Sequence, residues 1–128
     1  MKQQVTTDAA PQAIGTYSQA IRSGNTVYLS GQIPLDPKTM ALVPGDIRAQ
    51  TEQVWTNLVA VATAAGASSH DFVKLTVYLI DLKDFGVINE VLAQRLEPPY
   101  PARAVVGVQA LPRGAAVEIE AVAVLPVG

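Results

Sequence analysis

The sequence predicts an α+β fold, in which two helices pack on one face of a mixed β-sheet. The prediction rests on two segments whose apolar residues recur every three or four positions, and on strand-like segments in which apolar and polar residues alternate. The order of these segments is β-β-α-β-α-β-β, with Pro and Gly residues between them. Two helices in this order cover one face of the sheet and leave its other face without a helical layer.

The first two strands are predicted at Tyr17–Ile21 and Thr26–Ser30. Between them, Ser23-Gly24-Asn25 is typical of a hairpin turn, because Gly and Asn tolerate a positive φ angle. The next segment, Gln32–Pro44, contains three prolines and the sequence Asp36-Pro37-Lys38. It is predicted to be a loop or a broken hairpin.

The longest helix is predicted from Ile47 to Ala65. Its apolar face is formed by residues three or four positions apart: Ile47, Thr51, Val54, Leu58, Val61 and Ala65. Asp46 is a suitable N-cap and Gly66 a suitable C-terminal stop. Trp55 lies beside this apolar face, where core packing explains it better than stacking on a ligand.

The second half of the chain predicts three more strands and a second helix. The strands are expected at Phe72–Ile80, Ala102–Val108 and Ala116–Leu125. The helix begins near Asp84 and ends before Glu97-Pro98-Pro99, because proline cannot continue a helix. Its apolar stripe is formed by Phe85, Ile88, Leu92 and Leu96.

The sheet face away from the helices is predicted to mix polar and apolar side chains. Six strand residues point toward it: Lys74, Thr76, Tyr78, Glu118, Val122 and Val124. A face of this kind is often buried between subunits, where its polar groups line shared clefts. The pattern therefore favours an oligomer.

Length and composition favour one soluble domain spanning residues 1–128. The chain has no cysteine, which excludes disulfides, thiolate metal sites and a cysteine nucleophile. A net charge of −2 and scattered Lys and Arg residues argue against nucleic-acid binding. The N-terminus lacks a signal-peptide h-region, and no apolar run reaches the roughly 20 residues of a membrane span. We therefore expect a cytoplasmic protein without a membrane segment.

The sequence also lacks the residues that several common kinds of catalytic site require. The single histidine, His70, lies between a predicted helix and strand, where a solvated loop residue is the simplest interpretation. One histidine and scattered carboxylates do not make a usual metal site, so no metal is expected. No glycine-rich phosphate loop is present. Carboxylate and arginine chemistry remain.

Arg103 is the most unusually placed charge, because it stands within the apolar segment Ala102–Val106. A guanidinium in such surroundings needs a partner. It could bind an anionic ligand, or it could form a structural ion pair with Glu118 or Glu120 on the following strand. Glu118 in turn could orient water or carry a proton beside a bound anion, or it could be an ordinary solvent-facing residue.

Five segments of the chain match the signature segments of one known family. They are Ala10–Ala20 (APQAIGTYSQA), Leu29–Pro34 (LSGQIP), Phe85–Glu90 (FGVINE), Tyr100–Arg103 (YPAR) and Val117–Ala121 (VEIEA). They occur in the family's order and at close to its spacing, over nearly the whole chain. The chain thus resembles the RidA/YjgF family of reactive-intermediate deaminases.

This resemblance implies a chorismate-mutase-like fold that assembles as a homotrimer with clefts between subunits. It implies hydrolysis of enamine or imine intermediates, such as 2-aminoacrylate and 2-iminopropanoate, to a 2-keto acid and ammonia without a cofactor. Arg103 would hold the substrate carboxylate, and Glu118 would orient a water molecule toward the imine carbon. Five further residues would bind substrate, some of them from a neighbouring subunit: Tyr17, Ser30, Gly31, Asn89 and Glu120.

The sequence departs from the family pattern at three places, and these affect which family properties we expect for this chain. Val105 stands where many members have a cysteine, so a cysteine-based redox or chlorination role is not expected. The segment between Asn89 and Arg103 is shorter than in many relatives, which could alter substrate preference. Thr16 replaces a common proline, which we expect to matter little.

Other functions remain open from the sequence. One is deamination of a related amine such as 2-aminomuconate, and another is a non-catalytic regulatory trimer that binds a small carboxylate. The presence of both Arg103 and Glu118 argues against the second, because binding alone needs only the arginine. The ribonuclease role reported for some members is disfavoured by the acidic charge balance.

Overall fold

The computed structural model describes residues 1–126 and contains a six-stranded mixed sheet with two α-helices. The strands are β1 (Lys2–Val5), β2 (Ala20–Ser23), β3 (Thr26–Gln32), β4 (Phe72–Leu79), β5 (Ala102–Gly107) and β6 (Val117–Val124). The helices are α1 (Ile47–Ala64) and α2 (Phe85–Arg95). The spatial order is β1-β2-β3-β6-β4-β5, in which β4 and β5 run parallel and the other neighbours antiparallel. The predicted α+β class is confirmed.

The N-terminal part of the sheet differs from the prediction. β1 was not predicted, because its sequence KQQV has no apolar alternation and forms an edge strand with three exposed residues. β2 begins at Ala20 instead of Tyr17, because the preceding Gln19 is buried and bonded to the N-terminal segment. The Gln19 Nε2 donates to the Pro11 carbonyl at 2.7 Å, and its Oε1 accepts from the Thr7 amide at 2.7 Å. The β2–β3 hairpin is confirmed, with Gly24 at φ +62° in its turn.

Helix α1 forms where it is predicted and packs its apolar face against the sheet. The Asp46 side chain accepts a hydrogen bond from the Ala49 amide at 3.0 Å, and Gly66 follows the helix with φ +85°. Trp55 is a core residue whose ring meets that of Phe72 edge to face at 5.5 Å between centroids. These contacts fix α1 over the centre of the sheet.

Helix α2 lies beside α1 and is joined to it by two exposed ion pairs, Arg48–Glu90 and Glu52–Arg95. Its buried residues are Ile88, Val91 and Leu92. Phe85 was expected in this stripe but is 41% exposed, because it is the first residue of the helix and its ring faces the Arg103 side chain instead.

The sheet face opposite the helices carries the expected mixture of side chains. Across β4 and β6, Tyr78 pairs with Glu118, Thr76 with Glu120 and Lys74 with Val122. Three large side chains on or beside these rows are substantially exposed: Tyr28 (53%), Val106 (41%) and Val124 (39%). No helix within residues 1–126 is long and apolar enough to cross a bilayer.

Candidate functional site

The predicted site residues lie in two separate clusters of the chain. The carboxylate half-site consists of Tyr17, Ser30, Gly31, Glu118 and Glu120, and all five line one cavity of about 580 Å³. The guanidinium half-site consists of Arg103 and Asn89, which line a different cavity of about 390 Å³. The two half-sites are built by different elements of the chain.

A β-bulge positions the carboxylate half-site. Leu29 pairs with Ala121 and Gln32 pairs with Ile119, so β3 uses one residue more than β6 over this stretch. The irregularity spans Ser30 and Gly31 and brings the Gly31 backbone against the Glu118 side chain. A Cβ atom on Gly31 would lie 2.1 Å from Glu118 Oε2, far closer than any atoms can pack. The missing side chain of Gly31 therefore makes the space in which the Glu118 carboxylate lies.

The N-terminal segment closes one side of this cavity. The Ser30 amide donates to the Gln19 carbonyl at 3.0 Å, and the Ser30 hydroxyl donates to the Ser18 carbonyl at 2.5 Å. Tyr17 is half exposed, and its hydroxyl oxygen accepts a hydrogen bond from the Ile14 amide at 3.2 Å. The Ser30 side chain is thus occupied within the chain, whereas the Tyr17 hydroxyl still has its own proton to donate.

The surroundings of Glu118 perturb its carboxyl group. Burial, and secondarily the nearby negative charge of Glu120, raise the pKa of the Glu118 carboxyl above its ordinary value. Neither of its oxygens has a hydrogen-bond or ion-pair partner within residues 1–126. A carboxylate with a raised pKa holds and releases a proton closer to neutral pH than an ordinary one does. In the same part of the chain, no group of three or more His, Asp or Glu side chains could hold a metal ion.

The guanidinium half-site lies on the edge strand β5, where α2 approaches it. Arg103 Nη1 donates to Asn89 Oδ1 at 3.0 Å, and the guanidinium carbon lies 5.4 Å from the centre of the Phe85 ring. Within residues 1–126 Arg103 takes part in no ion pair. Arg103 lines an open cavity, and the fork geometry of its guanidinium suits a carboxylate.

The structure corrects two expectations about Arg103. It is exposed in the single chain, because β5 is an edge strand, so apolar neighbours in sequence do not enclose it. The alternative of an ion pair with Glu118 or Glu120 is not found within residues 1–126 of one chain. Arg103 pairs with Leu75 and faces the helices, whereas Glu118 pairs with Tyr78 on the opposite face, with β4 between them. One chain does not bring the arginine and the glutamates together.

Three residues near the half-sites were not selected from the sequence. Phe85 contacts Arg103, and Tyr78 donates a hydrogen bond from its hydroxyl to Glu120 Oε1. Arg113 lines the carboxylate half-site at φ +61°, and its Nη2 donates to the Met40 carbonyl at 2.9 Å. The sequence Pro112-Arg113-Gly114 is typical of a turn and could have indicated Arg113. The contacts of Phe85 and Tyr78 depend on tertiary structure and have no local sequence pattern.

Comparison with known proteins supplies the family. A family model described as Endoribonuclease L-PSP matches residues 7–125. A 2-iminobutanoate/2-iminopropanoate deaminase of Dermatophagoides farinae is 46% identical and is aligned over 97% of this chain and 97% of its own. The crystal structure of RidA from an Antarctic Psychrobacter species has a TM-score of 0.93 at 54% identity, covering 96% of this chain and 99% of that one.

A second solved structure, E. coli TdcF with bound serine, has a TM-score of 0.91 at 40% identity and covers 97% of this chain and 99% of its own. The family model, the deaminase and both structures thus extend over almost the whole chain. The chain therefore belongs to the Endoribonuclease L-PSP family, which is the RidA/YjgF family that its sequence motifs resemble.

Proposed function

We propose that the protein hydrolyses 2-imino acids, such as 2-iminopropanoate formed from 2-aminoacrylate, to 2-keto acids and ammonia. The observation that carries the proposal is a pair of complementary half-sites: an arginine with free donors, and a carboxylate with a raised pKa beside an open cavity. Two relatives support the substrate class. One is named a 2-iminobutanoate/2-iminopropanoate deaminase, and the structure of the other contains bound serine. Like a 2-imino acid, serine has a carboxylate next to the carbon that carries the nitrogen.

Arg103 binds the substrate carboxylate in this proposal. Its fork makes two parallel hydrogen bonds to a carboxylate, while Asn89 and the Phe85 ring hold the guanidinium in place. Binding through the carboxylate fixes the position of the adjacent imine carbon, and fixed geometry accounts for much of the rate in such an addition.

Glu118 transfers the protons. As a carboxylate it takes a proton from water as the water oxygen bonds to the carbon of the protonated imine, which gives a neutral carbinolamine. The protonated Glu118 then gives this proton to the nitrogen, the C–N bond breaks, and ammonia leaves as the carbinolamine hydroxyl returns a proton to the Glu118 carboxylate and becomes the keto oxygen. A raised pKa suits a group that must act as base and then as acid.

The complete site is proposed to form between copies of the chain in a homotrimer. The two half-sites face opposite sides of the sheet, so Arg103 of one copy meets Glu118 of the next. Head-to-tail contacts of this kind close into a ring. The uncovered sheet face, with its exposed Tyr28, Val106 and Val124, supplies apolar surface for such an assembly.

The family description names an endoribonuclease, and the charges of this chain favour the deaminase instead. The net charge is −2, and the larger cavity has two glutamates among its lining residues. A phosphate backbone is repelled by such a surface, because RNA binding relies on clustered Lys and Arg.

The activity is tested with an amino-acid dehydratase that generates 2-aminoacrylate, while release of pyruvate is followed. We expect Arg103→Ala to raise KM by about 10- to 100-fold, because charge-assisted hydrogen bonds to the substrate are lost. Arg22→Ala is the matched control, since Arg22 lies in the β2–β3 hairpin and donates to the Gly24 carbonyl. If the wild type fails to accelerate release from several amino-acid-derived imines while still binding 2-keto acids, a non-catalytic carboxylate-binding protein is the better account.

The shared site is tested by mixing two impaired variants, Arg103→Ala and Glu118→Ala, after denaturing and refolding them together, and by assaying them at substrate concentrations well below the wild-type KM. In randomly mixed trimers about a quarter of the clefts receive both intact residues, so a corresponding part of the wild-type activity returns. Each variant refolded alone keeps only its own low activity. Absence of recovery in mixed trimers of confirmed composition would contradict a site shared between copies.

A further inference from the structure

The second glutamate of the carboxylate half-site is held by a residue outside the cavity. Tyr78 on β4 pairs directly with Glu118 across the sheet, but its hydroxyl donates a hydrogen bond diagonally to Glu120. The residue that pairs directly with Glu120 is Thr76. Tyr78 therefore stands beside both carboxylates and, among the described residues, donates its hydrogen bond to the second one.

Within one chain, Glu120 is the charged group that acts on Glu118. On β3, Ser30 and Gly31 are uncharged, and the N-terminal segment contributes the phenol of Tyr17. Arg113 lines the same cavity, but its side chain bonds to the Met40 carbonyl and forms no ion pair with either glutamate within residues 1–126. Lys74, farther along β4, pairs with Val122 and has no ion-pair partner in this part of the chain.

We propose that Tyr78 is a positioning residue that fixes the Glu120 carboxylate beside Glu118, and that it thereby sets the pH range in which Glu118 transfers protons. The proposal rests on the function proposed above for Glu118 and adds a control on it. The hydrogen bond from the Tyr78 phenol holds the Glu120 carboxylate in its place beside Glu118. That charge makes it harder for the proton to leave Glu118.

The pKa values of Tyr78 and Glu118 both shift in the direction that this arrangement requires. The pKa of the Tyr78 phenol is raised, first by its hydrogen bond to Glu120, then by burial and by the charges of both glutamates. Tyr78 therefore stays a donor throughout the pH range in which carboxylates titrate. The pKa of Glu118 is raised by burial and then by Glu120.

The inference is tested without any enzymatic assay, by following the pH titration of isotope-labelled glutamate carboxyl carbons with NMR. Glu118→Gln and Glu120→Gln identify the two signals. We expect Glu120→Gln to lower the pKa of Glu118, since the neighbouring charge is removed. We expect Tyr78→Phe to lower it by less, because Glu120 can then turn toward solvent, so that its charge acts on Glu118 from a greater distance.

Tyr28→Phe is the matched control, because Tyr28 is a second tyrosine on the same sheet face and its hydroxyl has no partner within residues 1–126. It should leave the titration of Glu118 unchanged. If Tyr78→Phe also leaves that titration unchanged, the inference is wrong, whether or not the protein hydrolyses imines. Because phenylalanine keeps the ring, a folded Tyr78→Phe protein is expected, and its circular dichroism spectrum checks this.

The pH profile of kcat/KM provides the link to function. Its acidic limb, where Glu118 takes up a proton, should move to lower pH in Glu120→Gln and Tyr78→Phe and stay in place in Tyr28→Phe. A purely structural role of Tyr78 would lower activity at every pH without moving the limb, and this result would overturn the inference. Titrations that shift as expected in a protein without activity would instead refute the proposed function and leave the electrostatic coupling intact.

Discussion

At the scale of single residues, the carboxylate half-site depends on a side chain that is absent. Gly31 lies at the β-bulge of β3, where the Glu118 carboxylate occupies the space that a Cβ atom would take. A bulge of this kind redirects the side chains around it. The glycine is therefore required by close packing against a functional group, and not by an unusual backbone angle, since its φ is not positive.

We predict that Gly31→Ala lowers kcat by about tenfold or more, because the new methyl group displaces Glu118 from its position beside the cavity. The Arg103 half-site is untouched, so KM should change much less. The matched control is Gly86→Ala in α2, where an added Cβ meets no atom within 4 Å. It should stabilise the helix by about 0.5–1 kcal/mol and leave kcat unchanged. Equal effects of both substitutions on kcat would contradict this account of Gly31.

The raised pKa of Glu118 also predicts a pH-dependent effect on stability. Because the pKa of this group is higher in the folded than in the unfolded protein, the folded state binds the proton more tightly, and stability falls as pH rises between the two values. Glu118→Gln should therefore raise the free energy of unfolding near neutral pH while abolishing catalysis.

The gain from Glu118→Gln should disappear below about pH 4, where the carboxyl is protonated in both states. Urea unfolding at several pH values and a fixed protein concentration measures it. Glu97→Gln serves as the control, since Glu97 is exposed and has no bonded partner within residues 1–126. A gain of equal size in the control would show that the effect comes from net charge alone.

At the scale of elements, the two helices begin in different ways, although an aspartate precedes each of them. The Asp46 side chain accepts a hydrogen bond at the start of α1, whereas Asp84 makes no such bond at the start of α2. An N-cap bond satisfies a backbone amide that has no partner within the helix. The Asp46 side chain thus fixes the start of α1, whereas α2 begins without a side-chain cap of this kind.

We predict that Asp46→Ala lowers the free energy of unfolding by about 1 kcal/mol, the usual effect of removing an N-cap side chain. Asp84→Ala should cost clearly less, since only its favourable charge at the helix start is lost. Chemical denaturation of both variants and the wild type measures the difference. The assignment of Asp46 as the cap fails if the two substitutions cost the same.

The sequence predicts the elements well wherever one face of the element is apolar. One side of each of the elements α1, β4 and β6 packs into the core, so their apolar residues recur at regular spacing. The Asp46 cap was predicted from its residue type and its place before α1. β1 has no such period, since three of its four residues are exposed and polar, and only Val5 reaches the core. The shift of β2 has another cause, because the buried bonds of Gln19 have no signature in the local pattern.

The sequence likewise predicts only part of the candidate site. The family motifs selected Tyr17, Gly31 and Glu118, and the structure brings these three residues to one cavity. The side of the sheet that Arg103 faces could not be predicted, because it depends on the pairing of β5 with β4 and not with β6. The role of Phe85 was missed for a related reason: its periodic position suggests the core, whereas it lies at the helix end beside a charged group.

At the scale of the whole molecule, the sheet separates the two kinds of chemistry. The guanidinium half-site lies between β5 and α2, and the carboxylate half-site lies on the face that the helices leave open. Under the proposed assembly, a copy of the chain contributes its arginine to one cleft and its glutamate to another. Catalysis and association are then linked, because dilution below the concentration needed for assembly removes both the interface and the active site.

The edge position of β5 makes the exchange of backbone amide hydrogens a direct reporter of this assembly. Within residues 1–126, β5 pairs with β4 alone, whereas β6 is hydrogen-bonded on both sides by β3 and β4. In a dissociated chain the amides of Ala102–Gly107 should therefore exchange with solvent sooner than those of Val117–Val124. When a neighbouring copy covers this edge, its exchange slows, so mass spectrometry of deuterium uptake can follow formation of the cleft at the Arg103 strand before any substrate is added.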